Sequence, residues 1–526
     1  MKKEILVLLL VIVSSVFSLV ACNQQETSKQ ASGASPVQMT SDSSHFDELA
    51  NMAFVENRPT EEQTQVLDDE LLFQRATQTY LWAMPLINTV GMKEGSEKVF
   101  GAGYNILPVW KKRLDAKTLV TTPNSDVIYA MSYVDLGKDG PIVFEAPPML
   151  QGILLDFWQT PIPVDGGKFF GDVGFFGPDA GKGGRFLLLP PGYKGQVPSG
   201  FYVYRSATNN VFVFLRAFYQ DPADLSPAVS LIEKSKIYPL GKQSGAMTMK
   251  FPDASGVPAN MLPAGDAGAF EQLKRLLDSE DPASISGPDW LGMLAMLGIV
   301  KGQPFNPDPH TREILDKAAK TGYKMSRAIG RRSNVSGRSF LVYPKRQWLN
   351  PMADGTPDNP SADFATMGWQ RKAGYRDLDA RAWFFTDYYS LSPGMISQTP
   401  GKGAKYVVAF NDSEGKPLNP AVTYKVSLPP NVPAANFWSL TLYEAENASG
   451  YDNGQPFPSL GSRDKPALNS DGSTDLYIGP AAPEGKTSNW IKTIPGKGYF
   501  AILRLYGPEE KALDNSWVPG DFEKMQ

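Results

Sequence analysis

The sequence predicts a mainly β protein with helical segments, an α+β chain in which two antiparallel β-sandwiches are bridged by a helical region. Three observations carry this. The 48 glycines, 44 prolines and 11% aromatic content of the 526 residues suit many short strands joined by turns. β-branched and aromatic runs, separated by Gly, Pro, Asp and Asn, gather in two blocks at residues 106–217 and 405–506. Between the blocks the apolar spacing becomes that of helices. No fixed-period repeat is present, which disfavours propellers and solenoids.

The chain opens with Lys2 and Lys3 before the apolar run "ILVLLLVIV", followed by Ser14, Ser15 and Ser18. This charged, then apolar, then small pattern predicts a secretory signal over residues 1–21. The run is too short for a membrane span, which takes about 20 predominantly apolar residues. "LVAC" resembles the lipobox of bacterial lipoproteins, and Cys22 is the only cysteine. A lone thiol forms no internal disulfide and no metal cluster, so lipidation is its expected chemistry. Acyl chains add about 0.8 kcal/mol of membrane affinity per buried CH₂, and the expected partner is therefore a cell-envelope membrane, reached through a lipid anchor. Asn23 resembles the residue that sends enterobacterial lipoproteins to the outer membrane, which applies to a Gram-negative host. The polar tract after Cys22 reads as a flexible tether to about residue 60.

An N-terminal domain is expected over 61–260. Its helix, "DDELLFQRATQTYLWAMP", places Leu71, Leu72, Ala76, Tyr80 and Ala83 on one face and should stop near Pro85. The runs "VIYAMSYVDL", "PIVFEAP", "GILLDFW", "GRFLLLPP", "GFYVYRS" and "NVFVFLRAF" read as six strands. A helical bridge over 261–335 contains "AFEQLKRLLD", "DWLGMLAMLGIV" and "TREILDKAAKTGYKMSRAIG", the last started by Pro309. The C-terminal domain, 336–526, carries the helix "DLDARAWFFTDYYSL" and then the strands "KYVVAFND", "VTYKVSLPP", "NFWSLTLYEAE", "TDLYIGP" and "YFAILRLYGP". "DSEGKPLNP" reads as a hairpin loop.

"YLWAMPL", "TTPNSDVIYAMSYVDL", "LPPGYKG" and "FLRAF" resemble the N-terminal motifs of the bacterial family of unknown function numbered 1254. "NFWSLTLYE", "NSDGSTDLYIGP", "NWIKTIPGKGYFAILRLYGP" and "SWVPG" resemble its usual C-terminal companion, family 1214. The resemblance implies two jelly-roll-like sandwiches bridged by helices, often exported, and brings no activity with it.

Residue chemistry excludes several classes. The acidic balance, with 51 Lys and Arg against 55 Asp and Glu, offers no basic face for nucleic acid. There are two histidines; His45 ends the tether, so His310 is the one imidazole available to a Ser-His-Asp machine, and it sits at a helix start. Zinc needs several His or Cys. "GPDAGKGG" departs from a Walker loop in spacing and lacks its Ser or Thr. Asp471, Ser473 and Asp475 alternate as oxygen ligands do, but without the glutamate of an EF-hand they read as a turn. No cofactor and no metal are expected.

"TTPNSDVIYAMSYVDLG" concentrates what chemistry remains. In a strand from Val127 to Val134, Tyr129, Met131 and Tyr133 share one face, and Asn124, Ser125 and Asp126 fall in the turn before it. This rim is the candidate site. The expected function is an envelope lipoprotein binding a polar or amphipathic small molecule in a cleft between the sandwiches, through Asn124, Asp126, Tyr129, Trp438, Tyr443 and Arg504, with Trp158 and Trp490 as further aromatic platforms. One alternative is a cofactor-independent hydrolase or isomerase using Asp126 or Asp156 with Tyr129 and Arg504; another is a structural or assembly partner in the envelope. A cleft with perturbed carboxylates would favour the enzyme, and a large flat apolar patch the assembly partner. Replacing Cys22 with Ser is expected to release the protein from the membrane fraction or block its processing. Fractionation showing wild-type processing and retention in C22S would refute lipidation.

Overall fold

The computed structural model describes residues 44–242, 248–332, 334–335, 338–350, 369, 374–396 and 399–525. The predicted leader, Cys22 and the first part of the tether lie outside the described residues. The described residues divide into two compact units, one from Ser44 to Thr64 and one from Gln65 onward. In the first, a short helix, α1 (Ser44–Ala50), occupies sequence that reads as tether. Helix α2 (Glu61–Trp82) begins earlier than its acidic "DDE" suggests. Its true start is a capping box: the Gln63 amide nitrogen donates to Thr60 Oγ1, and the Thr60 amide nitrogen donates to Gln63 Oε1.

Pro85 does not stop the helical run. After a break at Ala83 it occupies the first turn of a new helix, α3 (Met84–Phe100), where a missing N–H costs nothing. Two mid-helix glycines then explain themselves. A Cβ on Gly91 would lie 2.5 Å from Leu262 O, and Gly95 faces Asn260 O in the same way, so the 259–262 segment packs directly on bare helix backbone. Helices α4 (Gly268–Ser279), α5 (Pro288–Met296), α6 (Pro309–Gly330) and α7 (Leu378–Asp387) follow the predicted segments. Asp308 caps α6 by accepting from the His310 and Thr311 amides at 2.9 and 3.1 Å.

All six N-terminal strands form: β1 (Ile128–Asp135), β2 (Ile142–Ala146), β3 (Gln151–Asp156), then, after the short β4 (Asp172–Val173), β5 (Gly184–Leu189), β6 (Tyr202–Arg205) and β7 (Asn210–Ala217); β8 (Lys236–Pro239) joins them. They make two sheets, β1-β7-β3-β4 and β6-β5-β2-β8. The C-terminal half repeats the plan with β9 (Trp348–Leu349), β10 (Ala404–Ala409), β11 (Tyr424–Leu428), β12 (Ala434–Glu444), β13 (Ser459–Gly461), β14 (Thr474–Gly479), β15 (Trp490–Lys492), β16 (Tyr499–Pro508) and β17 (Glu523–Lys524). Its sheets are β9-β10-β16-β12-β13 and β15-β14-β11-β17. Within these four sheets pairing is antiparallel except at one edge in each half, where β5–β6 and β14–β15 run parallel; apart from them, Thr118–Leu119 pairs in parallel with Ala259–Asn260. The "DSEGKPLNP" turn forms locally, closed by an Asn411–Pro417 bridge, yet it leads from one sheet to the other instead of joining paired strands.

Strand alternation decides where each core lies. Ile128, Ala130 and Val134 of β1 join Phe144, Leu154, Phe186 and Val213 inside the N-terminal sandwich. Ala501, Leu503 and Leu505 of β16 join Val426, Leu440 and Ile478 inside the C-terminal one. The opposite faces, Tyr129, Met131 and Tyr133 on one side and Phe500, Ile502 and Tyr506 on the other, meet in a third core with α2, α3, α4, α6 and α7. The helices thus fill the space between two sheets that each turn an apolar back to the other half. Gly91→Ala is expected to destabilise the protein by about 1–3 kcal/mol through overpacking against Leu262. Urea unfolding would measure it, and an unchanged midpoint would mean that the contact yields freely.

Candidate functional site

Both central strands that face the helical core carry an arginine. Arg216 in β7 lies opposite Tyr129 of β1 and Gln151 of β3. Arg504 in β16 lies opposite Tyr406 of β10 and Ser439 of β12. Alternation along each strand forces these side chains out of the sandwich cores and into the space between the halves.

The predicted turn meets β16 there. Asn124 Nδ2 donates to the Tyr506 hydroxyl, and Asn124 Oδ1 accepts from the Asp126 amide at 2.7 Å. The Tyr443 hydroxyl donates to Pro123 O at 2.6 Å. Arg504 donates to the Tyr443 hydroxyl at 2.5 Å and to Thr122 O at 3.2 Å. Thr122 has φ +39°, a left-handed conformation uncommon outside glycine, held by these contacts. Asp126 pairs with Arg113 at 3.1 Å, while its other oxygen is buried without a hydrogen-bond partner. Burial pushes its carboxyl above the usual range, and Arg113 pulls it back.

In front of this network is a cavity of about 600 Å³. A smaller chamber of about 40 Å³ lies beside it, and the two share Arg216, Met395, Tyr406 and Tyr506 in their walls. Tyr129, Arg504 and Thr122 line the inner chamber, with Tyr388, Tyr389 and Ser390, which follow α7, as its remaining polar wall. Ser390 also has positive φ, +56°, and its amide donates to Gln159 Oε1 at 2.7 Å. Gln159 in turn donates to Asn88 Oδ1 of α3, so a buried amide chain fixes the wall. The hydroxyls of Tyr129, Tyr389 and Tyr406 make no hydrogen bond among the described residues, and that of Tyr388 is buried without a partner. Burial raises the Tyr129 phenol far above its ordinary pKa, so it stays a neutral donor. Asp172 lines the outer cavity, accepting from the Gly394 amide at 2.9 Å; burial pushes its carboxyl up to about 6.

The sequence candidates separate on this map. Tyr129 and Arg504 face the cavity; Asn124, Asp126 and Tyr443 stand behind it and hold it. Trp438 points the other way, into the C-terminal sandwich core. Trp158 stacks edge-on against Trp82, and Trp490 ties its indole to Gly479 O at the sheet edge, so neither offers a platform here. Asp156 closes its own turn by accepting from the Thr160 amide at 2.8 Å. His310 makes an exposed pair with Asp69 at 2.9 Å, which raises its pKa. In the glycine-rich 177–184 turn, Asp179 takes the Gly174 and Gly183 amides that a phosphate would need. Asp471 accepts from the Ser473 amide and hydroxyl, a turn-capping role, and Asp475 takes the Ser427 hydroxyl at 2.6 Å. Among the described residues no group of three His, Cys, Asp or Glu is placed to hold a metal. Reading the sequence misses Arg216, Asp172, Tyr388, Tyr389, Tyr406 and Tyr506; the one local signal is the charge in "NVFVFLRAF", an arginine in an otherwise apolar strand.

Two family models match the chain: protein of unknown function DUF1254 over residues 104–239 and protein of unknown function DUF1214 over 403–510. Five solved chains match. Among them, the VPA0106 protein from Vibrio parahaemolyticus is 17% identical, with 86% of this chain and 100% of that one covered, at a TM-score of 0.49. An uncharacterized protein from Burkholderia cenocepacia is 12% identical, with 91% and 97% covered, at 0.38. No curated protein matches.

Asp156 supplies a pH test away from the cavity. Burial raises its carboxyl from 3.8 to about 7, so ionising it costs folding stability. The cost is absent below the unfolded pKa, grows as pH rises from about 4 to 7, and is full above that. Asp156→Asn keeps the acceptor for Thr160 and removes the charge. Relative to wild type its melting temperature is expected to rise at pH 8 and stay level at pH 4; an offset independent of pH would contradict a buried ionised carboxylate.

Proposed function

We propose that this chain, which carries a DUF1254 domain followed by a DUF1214 domain, is an envelope lipoprotein that binds a polar or amphipathic small molecule in the cleft between its two sandwiches. The observation that carries the reading is the 600 Å³ cavity, a size typical of small-molecule sites, in whose wall the Arg216 guanidinium and the Tyr406 hydroxyl have no hydrogen-bond partner among the described residues. Its apolar walls, Phe175, Phe176, Phe218 and Phe437, and its polar inner end suit a ligand with two unlike ends. Anchoring rests on the leader and Cys22, and no helix of the described residues is long and apolar enough to cross a membrane.

A second reading, a cofactor-independent hydrolase or isomerase, draws on Asp172. A carboxyl that titrates near 6 inside a cleft is suited to proton transfer at neutral pH. Asp156, which is not among the residues lining the cavity, does not support that role.

Met395 borders both chambers, so Met395→Trp fills the cavity from its wall. Thermal-shift screening of the full-length protein against polar and amphipathic metabolites is expected to find compounds that raise the melting temperature, with the rise lost in M395W. Compounds that stabilise both forms equally would place binding elsewhere. Product formation by wild type from such a compound would select the enzymatic reading, and recovery of the compound unchanged would exclude it.

A further inference from the structure

Arg216 holds an unusual position for a charged side chain. It is half-buried on the central strand of its sheet, with the Phe214 ring 5.3 Å from its guanidinium carbon. Among the described residues its side chain makes no ion pair and no hydrogen bond. Tyr129, Tyr406, Tyr506 and Asp172 surround it and on balance favour its charged form, though it bonds to none of them. An arginine keeps its proton in any such setting, and here its N–H donors face the cavity with no acceptor among the described residues.

Arg504 completes the pattern from the other half. Its hydrogen bonds go to a hydroxyl and a carbonyl, and it too has no carboxylate partner. Lys402 stands at the outer wall, and Arg463, stacked on Phe437 at 3.8 Å, donates to Asp126 O. Against these four cations the lining carries one carboxylate, Asp172, already engaged by Gly394. The inner end therefore offers positive charge and phenolic O–H donors but no anion. The Thr122, Tyr388, Ser390 and Met395 amides around it already donate to other groups of the chain, so they form no amide cradle of the kind phosphate sites commonly use. Planar guanidinium and single O–H donors match a planar carboxylate, which accepts two parallel bonds from an arginine.

We infer that the cleft takes an amphipathic carboxylate, its acid group seated between Arg216 and the unpartnered tyrosine hydroxyls and its alkyl or aryl body lying toward Phe175, Phe176 and Phe218. This deepens the binding reading above and rests on it. The ligand supplies the missing counter-charge, and the asymmetry of the cavity sets its orientation. Arg504, locked to Thr122 and Tyr443, adds to the field without moving.

The experiment compares matched pairs on the full-length protein in detergent: 4-phenylbutyrate with 4-phenylbutyramide, octanoate with octanol, and 4-phenylbutylphosphonate as the tetrahedral anion. Affinity is read by calorimetry in millimolar titrations of wild type, Arg216→Gln and Arg216→Lys. Each acid is expected to bind at least about tenfold more tightly than its neutral mate. In R216Q the acid should fall to the affinity of the neutral compound, which itself is unchanged, while the ligand-free melting temperature holds because no hydrogen bond or ion pair of the chain is lost. R216K, which keeps the charge but loses the fork, should keep only part of the preference. Acid and neutral mates binding alike, or acid affinity unaffected in R216Q, would overturn the carboxylate assignment and leave the cleft reading standing. Tighter binding of the phosphonate than of the acid would overturn the planar-anion argument. Failure of every acid and every neutral mate to bind wild type would overturn both.

Discussion

A guanidinium cannot be neutralised at physiological pH, and Arg504 is 4% exposed between the two sandwiches with a hydroxyl and a carbonyl, not a carboxylate, as its direct partners. The protein's response is to surround it with oriented neutral dipoles. Thr122 and Pro123, from the N-terminal half, receive its bond and that of its partner Tyr443. The charge is thus solvated by the opposite domain, and the two halves cannot separate without stranding it. Removing one member of such a buried arrangement costs more than the arrangement contributes, because the remaining polar groups lose partners that water no longer supplies. This constraint explains why the turn from Thr121 to Asp126 is so polar and so buried, and why Thr122 tolerates a left-handed backbone.

The helices act as the spacer that makes this geometry useful. Had the two inner sheets packed face to face, they would sit about 10 Å apart and leave no room for a ligand. Helices α3, α6 and α7 hold most of the gap open with apolar contacts. Where α7 ends, the chain turns through Tyr388, Tyr389 and Ser390, and the filling stops short. The cavity is that remainder: one wall from each sheet, a third from the end of a helix, supported through Gln159 and Asn88 from α3. Pockets at such junctions vary in shape with small changes in the end of a helix while the sandwich cores stay fixed.

How much of this is legible in the sequence follows from which forces are local. Strand alternation is local, so the grouping of Tyr129, Met131 and Tyr133 on one face of β1 follows from its residues alone, while which face turns from the sandwich core depends on the packing around it. Helix capping is local too, although the acidic run farther along α2 is a louder signal than the Thr60–Gln63 box that starts it. Pro85 misleads because proline stops a helix from within but starts one from its first turn, and only the break at Ala83 tells these apart. Trp438 shows the limit of residue type: an aromatic next to polar neighbours reads as a platform until strand parity is counted from a known face, and parity sends it inward. Asp172 and Tyr406 give no signal, since their meaning comes from a contact between segments more than 200 residues apart in sequence.

On the proposed reading, Arg216 and Arg504 divide ligand binding and domain joining between them. Both occupy central strands, both project between the halves, and both have tyrosines opposite across the ladder. Arg504 finds acceptors, and its charge is spent on joining the domains. Arg216 finds none and faces open volume. If burial of arginine were needed only for assembly, the second residue would be satisfied as the first is, because the same tyrosine-rich surface surrounds it. A cation in the wall of a polar, roomy cavity, with its N–H donors unused by the chain, is what the proposed carboxylate ligand would complete.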